Sequence, residues 1–492
     1  MTDSLASSVQ AMDLDAPIVD DLIKRCKSLH EEVEQYVTAV DISQRQAKIP
    51  YQVEYRTLRS DFKNELAFLQ KLKSANHPPE KARHHAASSN LLYYEALWAA
   101  AKRSSGLLAF RKYFYWNRQK GQTKNATSSF KGGVSKGKTS ALVDIVAADG
   151  MEWIRVSTTS EKRLLFDLAK MGWQNDSDSD SEMEDAGPTN WEDEDDDDQV
   201  EIVKSARELA RAARANPMRG HAPKVRYVLT RLASGRLKEV DMILDKMRAV
   251  GIIVECANEI PDTPSVQEAL PNLLVDRART LSKTLNIDCT ILLALISDIS
   301  HGECEMLDWY PGEVLAQILE ERKEKLLPTH LYPAIGSHPM VTTQEAAEQM
   351  NVIVDTLATD AEKRRANLLL AQRDCQDMAP ADILKEWQTL SDHPSPPNFQ
   401  LPIRVFPAEI PSRIDALPAA AKKMQTELGE LNTAIFFYGW AEGVTTLSSN
   451  RARAKQIERF INEVGLEDGQ SGPHVWLCGE SRSLIAKCGR RK

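Results

Sequence analysis

The sequence lacks any apolar run long enough to cross a lipid bilayer. Its 492 residues include apolar stretches such as 291–296 and 434–437, but a membrane-spanning helix needs about 20 consecutive apolar residues. The first 21 residues are acidic and lack the basic, apolar and small-residue zones of a secretory signal. We therefore expect no membrane partner and no entry into the secretory pathway.

Cysteine is also scarce. The seven cysteines are widely spaced, odd in number and include no Cys-x-x-Cys pair, a usage that favours free thiols in a reducing compartment. We expect the protein in the cytoplasm, the nucleus or both. Hydrophobic residues make up 42% of the chain, which is enough for sizeable cores, and the length predicts two or three domains.

Basic residues are missing from one long segment. Residues 176–198 carry 13 acidic side chains and no basic one, whereas the rest of the chain holds 58 acidic against 62 basic residues. Because such a segment cannot bury enough apolar surface to offset its ordering entropy, we predict an acidic disordered insert at residues 172–199. The insert could bind protein partners, or fold back on nearby cations and lower non-specific binding of nucleic acid.

The hydrophobic pattern outside the insert alternates between helical and strand periods. It predicts helices at residues 22–37, 62–72, 91–101, 161–171, 201–215, 237–250, 315–327, 343–357, 360–372 and 451–464. It predicts strands at residues 108–116, 141–147, 153–156, 225–229, 252–256, 433–438 and 474–478, with a hairpin turn at Asp149-Gly150. Seven prolines make residues 393–418 rich in loops.

This mixture predicts the α/β fold class. We expect a helical plus β-hairpin N-terminal domain, formed by residues 1–171 and 200–262. We expect an α/β C-terminal domain at residues 275–492, because strands and helices alternate there.

Residues 132–139 match the phosphate-binding pattern Gly-x-x-x-x-Gly-Lys-[Ser/Thr]. A working P-loop follows a buried strand and opens a helix, because the helix N-terminus helps to hold the phosphates. Here polar residues precede the match and the strand-like run 141–147 follows it, so we expect no nucleotide to bind. The lysines around the match, near the aromatic run 113–116, could serve single-stranded nucleic acid; the alternative is a solvated loop over a buried strand.

A basic stripe is predicted on the helix at residues 201–215. Lys204, Arg207, Arg211 and Arg214 recur at spacings of three and four residues, which places them on one helix face. Four cations on one face can neutralise RNA phosphates. The alternative is that the stripe is the solvated side of an amphipathic helix.

Two other groups carry residue types that occur in active sites. His301, Glu303, Cys304 and Glu305 bring metal-ligand types within five positions, but no second cluster at structural-zinc spacing accompanies them. Asp144 and Arg155 could be remnants of a restriction-endonuclease-like site, although the acid-x-Lys element of such sites is absent. Neither group predicts an active centre.

Several segments, taken in order, make the chain resemble an uncharacterised eukaryotic family, DUF1308. The segments are residues 22–25, 65–71, 143–155, 285–290, 300–302, 321–328 and 481–484. The resemblance implies a PIN-like, three-layer α/β domain at residues 275–492. PIN nucleases gather three or four carboxylates at the carboxyl ends of parallel strands, and these carboxylates bind Mg²⁺ or Mn²⁺ for phosphodiester cleavage.

The resemblance also implies which residues form the site. Asp288 corresponds to the leading Asp after the first strand, and Glu345 or Glu348 to the Glu on a following helix. Asn450 stands where the late motif has Asp, which removes one charge from the metal cage. The alternatives are that Asp288 caps the next helix and that Glu345 is a first-turn residue favoured by the helix dipole.

Two functions follow from this resemblance. The first is a non-catalytic PIN-like module that binds RNA or protein, which Asn450 favours. The alternative is a Mg²⁺- or Mn²⁺-dependent ribonuclease with Asp288 as the main metal ligand.

Overall fold

The computed structural model describes residues 3–47, 53–75, 84–116, 139–170, 200–274 and 281–485. The acidic insert, the lysines of the predicted basic arm and all but the last residue of the P-loop-like match lie outside these ranges. Within them the fold is mixed α/β. The chain divides into two compact units, one made of residues 1–218 and 222–275, the other of residues 219–221 and 276–492.

The first unit is built on a five-stranded mixed sheet. Its strands are β1 (Ala109–Trp116), β2 (Thr139–Ala147), β3 (Glu152–Ser157), β4 (Lys224–Leu229) and β5 (Ile253–Cys256), in that spatial order. The pairs β1–β2 and β2–β3 are antiparallel, which confirms the predicted hairpin, whereas β3–β4 and β4–β5 are parallel. Asp149 and Gly150 make the hairpin turn with left-handed backbone angles, which Asp and Gly tolerate best.

Helices cover both faces of this sheet. They are α1 (Asp3–Ala47), α2 (Arg56–Ser74), α3 (Leu91–Lys102), α4 (Glu161–Lys170), α5 (Glu201–Ala215), α6 (Lys238–Ala249) and α7 (Val266–Leu273). One apolar core lies between the sheet and α1, α2, α3 and α7, and a second lies between the sheet and α4, α5 and α6. Successive residues of β3 enter opposite cores, Trp153 one and Ile154 the other, as the two-residue period of a strand requires.

The second unit is built on a five-stranded parallel sheet. Its strands are β6 (Leu285–Ile287), β7 (Met340–Thr343), β8 (Arg404–Phe406), β9 (Thr445–Ser448) and β10 (Val475–Leu477). Their spatial order is β10-β9-β6-β7-β8, and all four neighbouring pairs are parallel. The first strand of the unit is therefore the central one.

Helices connect these strands and cover the sheet. They are α8 (Cys289–Ile296), α9 (Asp298–His301), α10 (Gly312–Lys323), α11 (Tyr332–Ile335), α12 (Gln344–Leu357), α13 (Asp360–Leu370), α14 (Pro380–Thr389), α15 (Ile410–Arg413), α16 (Ala419–Gln425), α17 (Glu430–Ala441) and α18 (Arg451–Val464). Two apolar cores pack against the sheet, one around α8, α12 and α13 and the other around α16, α17 and α18. Parallel strands need this cover, because both faces of such a sheet are buried.

One predicted strand of the second unit is wrong. Residues 433–438 form part of α17, and the neighbouring strand is β9 at Thr445–Ser448. Residues 433–440 are all buried, so α17 is apolar around its circumference and shows no helical period. A short apolar run of this kind cannot be assigned from periodicity alone. The strand β8, within the proline-rich segment 393–418, was also not predicted.

Candidate functional site

The candidate site lies where the chain changes direction across the parallel sheet. From the central strand β6 the chain builds β7 and β8 on one side and later adds β9 and β10 on the other. In open α/β sheets the crevice outside the carboxyl ends of the strands at such a switch point is the usual place for a ligand. Here the switch point lies between β6 and β9, whose last residues precede Asp288 and Ser449.

Asp288 is the buried carboxylate of this site. It directly follows β6, is 3% exposed, and its Oδ2 accepts hydrogen bonds from Thr290 Oγ1 at 2.7 Å and Ser448 Oγ at 2.5 Å. Asp288 occupies the N-cap position of α8, but its side chain makes no capping hydrogen bond. The position is that of the capping alternative, and the backbone amides of Cys289 and Thr290 at the start of α8 also favour the charged form of Asp288.

The two hydroxyls link Asp288 to the loop after β9. Ser448 Oγ accepts the Asn450 amide hydrogen at 3.0 Å, and Thr290 Oγ1 accepts the Ser449 amide hydrogen at 3.1 Å. Each hydroxyl thus donates to the carboxylate and accepts from the backbone. The network holds the start of α8 against the start of α18, so a large part of the role of Asp288 is to position this loop.

The same contacts act on the charge of the site. Burial raises the pKa of the Asp288 carboxyl above its ordinary value, and the hydrogen bonds from Ser448 and Thr290 oppose that rise because they stabilise the charged form. Two residues before Asp288, on β6, Asn286 is fully buried and donates from Nδ2 to Ile435 O and Thr446 Oγ1. The central strand and the residue that follows it therefore each contribute one buried polar side chain.

Asn450 caps the helix that follows β9. Its Oδ1 accepts the Arg453 amide hydrogen at 3.2 Å, which is the usual contact of an Asn or Asp at an N-cap. Because Asp makes this contact equally well, capping does not explain why Asn stands here. Asn450 and Asp288 belong to neighbouring strand ends and share the Ser448 hydroxyl.

The two candidate glutamates differ in their surroundings. Both lie on α12, which begins directly after β7, the neighbour of β6. Glu348 is exposed, and its Oε1 accepts from Gln344 Nε2 at 2.7 Å. Glu345 is half-buried, and its Oε2 is a buried atom with no hydrogen-bond partner among the described residues. Glu345 is therefore the better candidate of the two for a ligand contact.

These residues do not make up a metal cage. Within the described ranges no three His, Cys, Asp or Glu side chains come together in a way that could hold a metal ion. A PIN-type cage needs at least that many, and one oxygen of Asp288 already accepts two hydroxyl hydrogen bonds. The donor set at the switch point does not fit two divalent cations.

The predicted basic stripe lies on a helix with the predicted bounds, α5. Its members are not equally accessible, because Arg207 is 4% exposed whereas Arg214 is exposed. The buried side chain of Arg207 is therefore not accessible to RNA in this structure. Of the four predicted cations, three therefore remain as candidates for contact with RNA phosphates: Lys204, Arg211 and Arg214.

Asp144 and Arg155 do come together in the first unit. Asp144 is fully buried on β2; its Oδ1 accepts from Arg155 Nη1 at 2.9 Å and from Tyr93 Oη at 2.7 Å, and its Oδ2 accepts the Val156 amide hydrogen at 2.8 Å. Burial raises the pKa of Asp144, and the Arg155 charge opposes the rise. These contacts join β2 to β3 and to α3, so the pair has a structural role.

Sequence reasoning missed a buried ion pair in the second unit. Arg482 donates from Nε and Nη2 to Glu321 Oε2 at 3.1 and 3.0 Å, and the Leu326 amide hydrogen occupies Glu321 Oε1 at 2.9 Å. Both residues lie in segments of the family resemblance. A signal was available, because an Arg and a Glu in apolar surroundings rarely stay buried without each other.

No described helix is both long enough and apolar enough to span a membrane. Residues 285–391 match the model of the DUF1308 family, which is described as a protein family of unknown function. The match supports the family resemblance for this segment. The matched segment runs from β6 through α14 and contains Asp288, Glu345 and Glu348, whereas Asn450 lies beyond it. No solved structure gives a significant match to the chain.

Proposed function

We propose that the second unit is a PIN-like module that binds single-stranded RNA without cleaving it. The observation that carries the proposal is the burial and hydrogen bonding of the Asp288 carboxylate. Its carboxylate lies at the carboxyl end of the central parallel strand, as the resemblance implies, but it is buried and hydrogen-bonded to Thr290 and Ser448. Asn450 stands in place of the second expected carboxylate, so the site has the strand-end position of a PIN-type site and lacks its acidic cage.

Helix orientation supports an anionic ligand. The helices α8, α12 and α18 begin directly after β6, β7 and β9, so their N-termini meet at the same edge of the sheet. A helix N-terminus carries a partial positive charge and unpaired amide hydrogens, which favour phosphate groups. Arg451, in the first turn of α18, adds an exposed guanidinium, which pairs with the exposed Glu480 carboxylate at 2.6 Å.

A ribonuclease is the second candidate, and one observation favours it. Glu345 Oε2 is buried without a partner among the described residues, and a carboxylate oxygen in that state is available to a ligand. Glu345 follows β7 and Asp288 follows β6, so both lie at the carboxyl edge of the sheet. We place this candidate second, because two carboxylates are fewer than a two-metal cage requires.

The test mixes wild type and four variants with labelled single-stranded RNA in Mg²⁺, Mn²⁺ and EDTA, with binding and cleavage scored in the same reactions. Asp288→Asn keeps the size of the side chain and an acceptor oxygen. Asn450→Asp restores the carboxylate and keeps the N-cap of α18. Asp382→Asn changes the same charge at an exposed position of α14 and is the matched control.

We expect wild type to bind RNA equally in Mg²⁺ and EDTA and to leave it intact. Arg451→Gln should weaken binding by about threefold to tenfold and lower its salt dependence by roughly one phosphate contact. Metal-dependent cleavage by wild type that Asp288→Asn abolishes and Asp382→Asn retains would establish the nuclease instead. Absence of RNA binding under all conditions would make the proposal wrong and direct the search to protein ligands.

A further inference from the structure

A crevice of the second unit lies among residues that the switch-point site does not use. It has a volume of about 550 Å³ and is lined by residues 298, 301–305 and 389–392, with Tyr310, Thr359, Arg365 and Ile485. This volume is within the usual range for a small-molecule site, about 300–1,000 Å³. Nearly all of the crevice lies within the segment that matches the family model.

His301 gives the crevice a buried acceptor. The residue is 2% exposed, lines the crevice, and hydrogen-bonds through Nε2 to the Leu295 carbonyl oxygen at 2.5 Å. Since a carbonyl oxygen only accepts, Nε2 carries the proton. Nδ1 therefore presents a lone pair, and it has no hydrogen-bond partner among the described residues. A ligand that donates a hydrogen bond would satisfy it.

The His301 ring stays neutral. Burial, with a smaller contribution from the nearby Arg365 charge, lowers its pKa to about 3. The Nδ1 lone pair is thus present at any physiological pH, and His301 contributes no positive charge that would repel a cation.

The base of the crevice holds a cation that is already neutralised. Arg365 donates from Nη1 to Asp298 Oδ1 at 2.6 Å and to the Ile296 carbonyl oxygen, while Nε and Nη2 donate to the Leu390 carbonyl oxygen. Thr359 Oγ1 occupies the other oxygen of Asp298 at 2.7 Å. Because all three guanidinium nitrogens of Arg365 already donate hydrogen bonds, few donors remain for an anionic ligand.

The remaining charged groups of the crevice are negative. Glu303, Glu305 and Asp392 line it, and all three are exposed. Gly302 allows Asp392 to approach, because a Cβ on residue 302 would lie 2.8 Å from Asp392 Oδ2. The Asp392 amide hydrogen bonds to the His301 carbonyl oxygen at 2.8 Å, which fixes the Asp392 loop beside His301.

A metal ion does not suit this arrangement. No three His, Cys, Asp or Glu side chains of the described residues are grouped closely enough to hold one. A larger cation with several N–H donors can reach acceptors that are farther apart. Tyr310 also lines the crevice, and an aromatic ring beside an organic cation favours its binding.

We propose that this crevice binds an organic cation with a guanidinium or primary ammonium group, which donates to Asp392 and to His301 Nδ1. The group can come from a free small molecule or from an arginine or lysine side chain of a peptide. The site shares no lining residue with the switch-point site and does not rest on the function proposed for that site.

The test uses the full chain and isothermal titration calorimetry. The free probes are butylguanidinium, butylammonium and their neutral analogue butylurea. The peptide probes are acetyl-Gly-Arg-Gly-amide and the same peptide with neutral citrulline in place of arginine. Asp392→Asn and Glu303→Gln each remove one charge of the crevice, and Asp308→Asn removes an exposed charge from the same loop outside it.

We expect the charged probes to bind at least about tenfold more tightly than their neutral analogues, with binding that weakens as salt is added. Asp392→Asn should weaken binding by about fivefold, Glu303→Gln should act in the same direction, and Asp308→Asn should leave binding unchanged. Tighter binding of the peptide than of butylguanidinium identifies a protein side chain as the source. Equal binding of charged and neutral probes, or no effect of both crevice variants, would overturn the proposal.

Discussion

The ion pair between Arg482 and Glu321 should be one of the strongest single contributions to the stability of the second unit. Both side chains are 3% exposed, and two guanidinium nitrogens contact one carboxylate oxygen at 3.0 and 3.1 Å. Removing Arg482 leaves an uncompensated buried charge on Glu321. We expect Arg482→Met to lower the free energy of unfolding by about 3–5 kcal/mol.

Burial, and not distance, sets this magnitude. The pair Arg451–Glu480 is closer, at 2.6 Å, but its side chains are 54% and 53% exposed. An exposed pair contributes only about 0–1 kcal/mol, because water and salt screen it. Arg451→Met is therefore the matched control, and we expect it to change the free energy of unfolding by less than about 1 kcal/mol.

The assay is urea unfolding of the full chain, with hydrogen exchange of peptides from the second unit to assign the transition. Glu321→Gln removes the charge and keeps the acceptor for the Leu326 amide hydrogen. The double variant Arg482→Met/Glu321→Gln should lose about 1–3 kcal/mol less free energy of unfolding than the sum of the losses of the two single variants. Equal effects of Arg482→Met and Arg451→Met would refute the reasoning.

Three further predictions concern other buried polar groups. Burial raises the pKa of Glu362 to about 7 in the folded protein, which is above its value in the unfolded chain. Wild type should therefore lose roughly 3 kcal/mol of stability between pH 4.5 and 7.5, whereas Glu362→Gln should not show this loss. If the stabilities of the two proteins from urea unfolding changed in parallel with pH, the prediction would be contradicted. Asp144→Ala should lower the stability of the first unit by about 3–5 kcal/mol because it strands Arg155, and Asp144→Asn should cost less, as urea unfolding will show. Ser448→Ala should cost about 1–3 kcal/mol, since it removes a donor to a buried carboxylate and the acceptor of the Asn450 amide hydrogen; a thermal unfolding midpoint equal to that of wild type would exclude this role.

Local patterns predicted much of the secondary structure. The helices α5 and α18 have the predicted bounds, because each is amphipathic and its apolar stripe recurs at the helical period. The hairpin β2–β3 also follows its prediction, since the Asp149-Gly150 turn carries its own backbone preference. These elements depend on residues close in sequence.

The same patterns failed where burial removes the contrast between faces. Residues 433–440 are buried on every side of α17, so the segment has no periodic signal and was predicted to be a strand. The strands β7 and β9 are four residues long and buried throughout, which is too short for a period of two to be visible.

The sequence by itself determined the α/β class, the elements with a clear period, the lack of a membrane-spanning run, and Asp288 as the residue to examine. Only the tertiary structure decided the contact between Asp288 and Ser448, because the two residues are 160 positions apart in the sequence. It likewise joined Glu321 to Arg482 across 161 residues. Contacts of this kind depend on the order of the strands and on how the helices pack. A linear pattern of residue types does not show which distant side chains the strand order and the packing will bring together.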